Sequence, residues 1–303
     1  MDRPSPVTGC SPALLAFRRA ERIYERREER TMEILATLTL LGPAFLTAHL
    51  AVRAISGERS PFRLLLMRAF ARWVEVPLLR LTYEGCVGRL RFLTRLSTFR
   101  WLLGWAVAFP FSHWGDTGKP IPHPALKEYI RGLEGEFAVG PCRCRIGHRA
   151  CDHPMETDVV IRTGTRVWLE AFPDQYRTIS RDEALKIVRE CASLGMFHMI
   201  FLHCMLGGAV NEYVICNCCT DGCVPYLANR AFGQGRFRLV RGDWEAQVEL
   251  DSCTGCGSCE EACPFGERWV VGGKSFVFDC YGCGLCSASC PSGASTMRRR
   301  GEA

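Results

Sequence analysis

Leu14–Arg30 is densely charged, and an apolar stretch, Ile34–Val52, follows it. In the charged stretch Arg18, Arg19, Arg22, Arg26, Arg27 and Arg30 interleave with Glu21, Glu25, Glu28 and Glu29. Their i,i+4 spacing predicts a solvated helix. Ile34–Val52 holds 19 residues without a formal charge, His49 counted neutral. A membrane span takes about 20, so length permits one. Gly42, Pro43, three threonines and His49 argue instead for a buried helix or an interfacial hairpin, and both readings stand. Arginines flank both ends, which leaves orientation undecided. Residues 62–75 repeat at helical period, with Phe62, Leu65, Leu66, Ala69, Phe70, Trp73 and Val74 on one face and Pro77 predicted to end the helix. Trp101–Gly115 is a further uncharged run with three tryptophans.

The pattern changes at Gly115–Pro124, whose glycines and prolines predict a linker. Beyond it, Asp158–Arg162 and Thr165–Leu169 alternate as strands around a turn at Gly164. Ser180 and Glu183 form a capping box that opens a helix, Arg181–Leu194, ended by Gly195. Met196–His203 and Glu212–Ile215 are apolar runs of strand length. Gly233, Gly235 and Gly242 predict a second linker, and Gln247–Leu250 opens a last domain.

Composition narrows the class. With 48% hydrophobic and 23% charged residues over 303 positions, the chain can bury a core and is not disordered. A mean hydropathy of +0.00 excludes a polytopic membrane protein. The net charge of +6 is too mild to imply nucleic acid, and no nucleic-acid motif is present. The basic residues are 34 arginines and four lysines. Apolar, arginine-rich helices with tryptophans before Gly115 suit contact with an anionic membrane surface; packing on the rest of the protein is the alternative.

The 19 cysteines decide the chemistry. An odd number cannot pair completely, and the arginine- and glutamate-rich start is not a secretory signal, so a reducing, anaerobic cytoplasm is expected. Cys253-x2-Cys256-x2-Cys259-x3-Cys263-Pro264 recurs 27 residues later as Cys280-x2-Cys283-x2-Cys286-x3-Cys290-Pro291. Three cysteines at two-residue gaps wrap one face of a cubane, with Gly255, Gly257, Gly282 and Gly284 letting the backbone turn near the sulfurs. In such runs the fourth cysteine ligates the other cluster. Cluster one then takes Cys253, Cys256, Cys259 and Cys290, and cluster two takes Cys280, Cys283, Cys286 and Cys263. Over about residues 246–297 the chain resembles the bacterial two-cluster [4Fe–4S] ferredoxins. The resemblance implies a pseudo-twofold pair of hairpin-and-helix halves and one-electron transfer at low potential. Gly266-Glu267-Arg268-Trp269 departs from the usual small residue, placing charge and an aromatic beside a cluster, so the two potentials are expected to differ. Lys274 and Arg298–Arg300 offer docking charge for an acidic partner, with a charged, disordered tail as the alternative.

Seven further cysteines form a second group: Cys142, Cys144, Cys151, Cys216, Cys218, Cys219 and Cys223. Thiolates this dense repel and oxidise unless a metal neutralises them. Pro-Cys-x-Cys-Arg paired with Cys-Asn-Cys-Cys is similar to a cysteine-rich module ahead of dicluster domains in anaerobic bacterial iron–sulfur proteins, over roughly 138–226. The expectation is a third iron–sulfur cluster with ligands from these seven, zinc being the lesser alternative. His148 and His153 lie in the same string as ligands or supporting residues; His198, His203, Cys191 and Cys204 read as core, and Cys10 and Cys86 carry no motif. No P-loop or dinucleotide fingerprint is present. Gly207-Gly208 reads as a turn.

The expected architecture is α+β: an arginine-rich helical segment (1–115), possessing the membrane-contact option; a cysteine-rich α/β middle module (120–240); and a C-terminal ferredoxin-like dicluster domain (245–303). The expected function is electron transfer as feeder or subunit of a redox enzyme, with redox proteins as partners, in the cytoplasm or at the inner face of the membrane. The rivals are a reductase acting on a disulfide or small acceptor at Cys142–Cys223, and a redox sensor.

Overall fold

Six short strands between Lys119 and Cys218 pair into one sheet, every neighbour antiparallel. The computed structural model describes residues 65, 69–98, 118–149, 151–201, 213–232 and 239–302, all within the compact unit Val52–Ala303. The strands are β1 (Lys119–Ile121), β2 (Phe137–Pro141), β3 (Glu156–Val160), β4 (Arg177–Ile179), β5 (Phe197–Phe201) and β6 (Val214–Cys218), in the order β1-β5-β6-β3-β2-β4. Helices α1 (Val76–Cys86) and α2 (Arg91–Thr94) precede the sheet. Helices α3 (His123–Gly132), α4 (Arg143–His148), α5 (Thr163–Ala171), α6 (Arg181–Ser193) and α7 (Val224–Phe232) connect or follow the strands.

Period-two alternation sends Val139, Val159 and Ile215 to one face of the sheet and Ala138, Val160 and Val214 to the other. Leu126 and Ile130 of α3 and Ala184 and Val188 of α6 cover the first face. The second is covered by Val167 and Trp168 of α5, by Tyr226, Leu227 and Ala228 of α7, and by Cys86 of α1. Each such large side chain, fully buried, contributes roughly 1.5–3 kcal/mol. Cys216 and Cys218 follow Val214 at period two on β6, so strand geometry fixes their spacing near the second face.

The C-terminal part is smaller. Strand β7 (Trp244–Val248) pairs antiparallel with β10 (Ser295–Arg299), and β8 (Arg268–Val271) with β9 (Lys274–Val277). Two four-residue helices, α8 (Ser258–Glu261) and α9 (Leu285–Ala288), each start after a left-handed glycine, Gly257 and Gly284. Tyr281 and Cys283 join the same core as Tyr226, which ties this part to the middle sheet.

Several sequence expectations are corrected. Thr165–Leu169 is helix, not strand. Gly164, Val167, Trp168 and Ala171 stand at i, i+3, i+4 and i+7, and all but the glycine are buried hydrophobics. A Cβ at Gly164 would lie 2.4 Å from the Tyr213 carbonyl, so only glycine permits this packing. The predicted linker Gly115–Pro124 contains strand β1 and the start of α3. Pro77 does not end its helix: a π turn, Phe70–Glu75, runs into α1 with the proline at its N-terminus, where the missing N–H costs least. The charged tail is strand β10 rather than disordered. The capped helix after Ser180 forms as expected, with the Ser180 oxygen accepting from the Glu183 N–H at 3.1 Å.

Leu14–Arg30, Ile34–Val52, Trp101–Gly115, His203, Cys204, Gly207-Gly208, Gly233, Gly235 and Cys10 lie outside the described residues. Among the described residues no helix is long and apolar enough to cross a membrane.

Candidate metal centres

Cys253, Cys256, Cys259 and Cys290 line one cavity of about 310 Å³. Cys263, Cys280, Cys283 and Cys286 line a second of about 300 Å³. Each cavity therefore joins one triplet to the trailing cysteine of the other. Loop geometry allows this: Gly255 and Gly282 have φ of +67° and +87°, and a Cβ there would meet the Gly273 and Trp244 carbonyls at 2.3 and 2.4 Å.

The sulfurs already accept hydrogen bonds suited to thiolate ligands. Ala246 and Gly282 N–H groups donate to Cys280 Sγ, both at 3.3 Å. Glu267 N–H donates to Cys263 at 3.4 Å, and Ser295 N–H to Cys290 at 3.4 Å. That last contact holds the Cys290 thiol below its usual value. Burial pushes the Cys283 thiol up, so a bound cation or cluster is what would keep it deprotonated. Four thiols per cavity, with N–H groups aimed at them, fit a [4Fe–4S] cluster.

Glu267 and Arg268 both line the second cavity and are buried. Arg268 Nη2 donates to Ser295 Oγ, while Nε and Nη1 have no hydrogen-bond partner among the described residues. Trp269 packs edge-on against Phe278 and is not among the cavity residues. Lys274 Nζ is bound to the Leu250 and Cys253 carbonyls, at 2.6 and 3.3 Å. Arg298 and Arg300 both pair with Glu245, at 2.7 and 2.8 Å.

A third cavity, about 470 Å³ and partly open to solvent, lies in the middle module. Cys142, Cys144, Cys216, Cys218, Cys219 and Cys223 line it, together with Glu75, Leu79, Arg143, Arg145 and Asp158. Cys142 and Cys144 stand where β2 passes into α4, beside a bulge at Gly140/Pro141. Cys216 and Cys218 end β6, and Cys223 immediately precedes α7. The thiols contact one another: Cys142 with Cys144, Cys216 with Cys218, and Cys218 with Cys223. The Cys218 contact pulls the Cys216 thiol down, yet burial and Asp158 push it up to about 12. Burial, above all, pushes Cys218 up as well. Such a group suits metal or cluster binding better than free thiolate chemistry.

Charge around this cavity is buried on both sides. Arg143 Nε bonds Glu75 Oε2 at 3.0 Å, and its guanidinium lies 4.3 Å from the Phe172 ring centroid. Asp158 Oδ2 accepts the Arg143 N–H at 3.3 Å. Burial raises the Asp158 carboxyl to about 7, against the pull of that N–H and of Arg145. Arg145 is 1% exposed. Its Nη1 donates to Pro154 O and Thr157 Oγ1, both at 2.7 Å, and its Nη2 to Asn217 O at 3.1 Å.

Of the seven, Cys151 alone is not a lining residue, and it stands against Cys219 at the cavity edge. Their sulfurs are 3.9 Å apart, and Cys219 Sγ also accepts from Arg145 Nη2 at 3.6 Å. His148 Nε2 donates to Gly222 O at 2.7 Å and stacks on Tyr83 at 4.1 Å, which fixes the loop; it is a supporting residue. His198 is core, as expected, with Nδ1 donating to Asn217 Oδ1 at 2.6 Å. Cys191 and Cys86 are buried singly, their thiols each raised to about 12 by desolvation.

The sequence reading missed Glu75, Leu79 and Asp158. Glu75 and Leu79 come from the arginine-rich segment, far in sequence from the cysteines that line the cavity.

Residues 246–266 match the 4Fe-4S binding domain family. The chain contains an iron–sulfur, ferredoxin-like domain. The match supports iron–sulfur electron transfer in general. No curated protein and no solved structure is similar enough to extend the comparison.

Proposed function

We propose that this protein passes single low-potential electrons through two [4Fe–4S] clusters and a third iron–sulfur cluster in the middle module, as feeder or subunit of a redox enzyme. The observation that carries the reading is the pair of four-thiol cavities, each drawing its fourth cysteine from the other repeat. Cys253, Cys256, Cys259 and Cys290 would hold one cluster, and Cys263, Cys280, Cys283 and Cys286 the other. When bound, the clusters supply reversible one-electron chemistry.

The chain's own residues shape that chemistry. Backbone N–H groups at Cys263, Cys280 and Cys290 share the charge of the sulfurs. For the third cluster, ligands would come from Cys142, Cys144, Cys216, Cys218 and Cys223, with Arg143 and Arg145 offsetting negative charge. Phe265, two residues after Cys263, stacks on Tyr281 at 4.3 Å and meets Tyr226 edge-on at 5.7 Å. Tyr226 lies three residues after Cys223, so packed aromatic rings separate the third cavity from the second. Exposed Trp73, Leu81, Phe92 and Leu96, beside exposed Arg72, Arg80, Arg91 and Arg95, support docking by this segment on a redox partner or the inner face of a membrane.

The test is spectroscopic. Cys259→Ala should remove one reduced-cluster EPR signal and Cys283→Ala a different one, each leaving the other intact. Retention of both signals in either variant would overturn the ligand assignment.

A second reading is favoured by one observation: six thiols line the third cavity, where a cubane takes four. It makes the protein a reductase of a disulfide or small acceptor. Turnover of such an acceptor by the reduced protein alone, abolished in Cys223→Ala, would select it.

A further inference from the structure

Two loops meet at the edge of the third cavity, and Cys219 also lines that cavity while Cys151, His153 and Asp221 do not. One carries Cys151 and His153, between α4 and β3; the other carries Cys219 and Asp221, between β6 and α7. One donor atom from each of these four residues lies within 4.8 Å of all the others. The two sulfurs are 3.9 Å apart. Two thiolates on a tetrahedral zinc, each about 2.3 Å from the metal, stand about 3.8 Å apart. His153 Nδ1 is buried, has no hydrogen-bond partner among the described residues, and lies 3.7 Å from Asp221 Oδ1. A ring nitrogen hidden from water with nothing to bond is costly unless it has a ligand.

We propose that Cys151, His153, Cys219 and Asp221 form a mononuclear zinc site, separate from the iron–sulfur centres. Two sulfurs, an imidazole and a carboxylate match the borderline-soft preference and four-coordination of Zn²⁺. On binding, the two thiols release their protons to solvent, and Nδ1 and the carboxylate bind through lone pairs. Two thiolates and one carboxylate leave the filled site with a net charge of −1. Arg145, which reaches Cys219 Sγ, offsets it.

The surrounding chain is built for close approach. A Cβ on Gly222 would meet Cys151 Sγ at 2.8 Å and Cys219 Sγ at 3.2 Å, so only glycine lets the loop fold over both sulfurs. His148 anchors the same loop through the Gly222 carbonyl, and Tyr83 stacks behind it. The metal would clamp Cys151 and His153 to the 219–223 loop. Cys218 and Cys219 both line the third cavity, so the clamp would fix one of its walls.

The site stands independently of the iron–sulfur reading, and the test keeps them apart. Full-length protein, purified anaerobically, is analysed for zinc, iron and sulfide, and zinc-edge X-ray absorption gives the ligands. The expected result is about one zinc per chain, with two sulfur and two nitrogen or oxygen neighbours. The His153→Ala, Asp221→Ala double variant should lose that zinc while keeping its iron and sulfide. The wild-type spectrum decides even where the variant does not fold. Absence of zinc, an all-sulfur zinc shell, or zinc retained in the double variant would overturn the site. Loss of iron and sulfide in Cys151→Ser would do so as well, because it would assign Cys151 to a cluster.

Discussion

Arg268 and His198 show how a single buried group sets a measurable property. The Arg268 guanidinium lines the second ferredoxin cavity and draws the Cys286 thiol down against the upward push of burial. A cation there stabilises an added electron. Arg268→Leu should therefore lower the reduction potential of one cluster, by on the order of tens of millivolts, and leave the other unmoved. Redox titration followed by EPR reads both, and equal shifts in the two would sink this role. His198 is 2% exposed, and desolvation lowers its pKa from 6.5 to about 4. The unfolded chain takes up a proton in that interval and the folded chain does not. Stability should thus be full above pH 6.5 and fall as pH drops toward 4, by about 3 kcal/mol across the range. Denaturant midpoints between pH 7.5 and 5 measure it, and His198→Gln should flatten that part of the profile. At this scale the sequence was informative where chemistry repeats. The repeat, with the fourth cysteine of each run assigned to the other cluster, sorts the eight C-terminal cysteines into the same two groups of four that line the two cavities. Arg268 was visible as a departure, but only packing shows that the arginine faces a cavity and that Trp269 does not.

Elements were legible where local signals agree and obscure where tertiary contact decides. The Ser180 cap and the helix it starts needed no partner. Helix α5 did: its short length hid the i, i+3, i+4, i+7 pattern behind an apparent alternation. Strand β1 was hidden by Pro120, which an edge strand tolerates because one side of it stays unpaired. Helix α1 and its π turn matter most for the site. They bring Glu75 against Arg143, with both side chains about 5% exposed. Removing one partner leaves a buried charge alone. Glu75→Ala should cost about 3–5 kcal/mol, measured by chemical denaturation. A change under about 1 kcal/mol would mean the pair is open to water and the π turn is not integral to the cavity wall.

Across the whole molecule, thiol-lined cavities are strung from the middle sheet to the C-terminal repeats. Tyr226, Phe265 and Tyr281 pack where the two parts meet, and Tyr281 and Cys283 share the core of the middle sheet. Sequence could divide the seven middle cysteines from the eight terminal ones, but not single out Cys151 and Cys219 as a pair, because that depends on which loops meet in space. His153 and Asp221 stood in plain sight without a spacing rule to join them.

The most direct measurement is iron and acid-labile sulfide per chain on anaerobically purified protein, with EPR after dithionite reduction. The account predicts about twelve irons and as many sulfides, from three four-iron clusters. About eight would remove the third cluster and leave the thiol-lined cavity of the middle module to thiol chemistry. Near-zero iron after reconstitution would contradict the account at its centre.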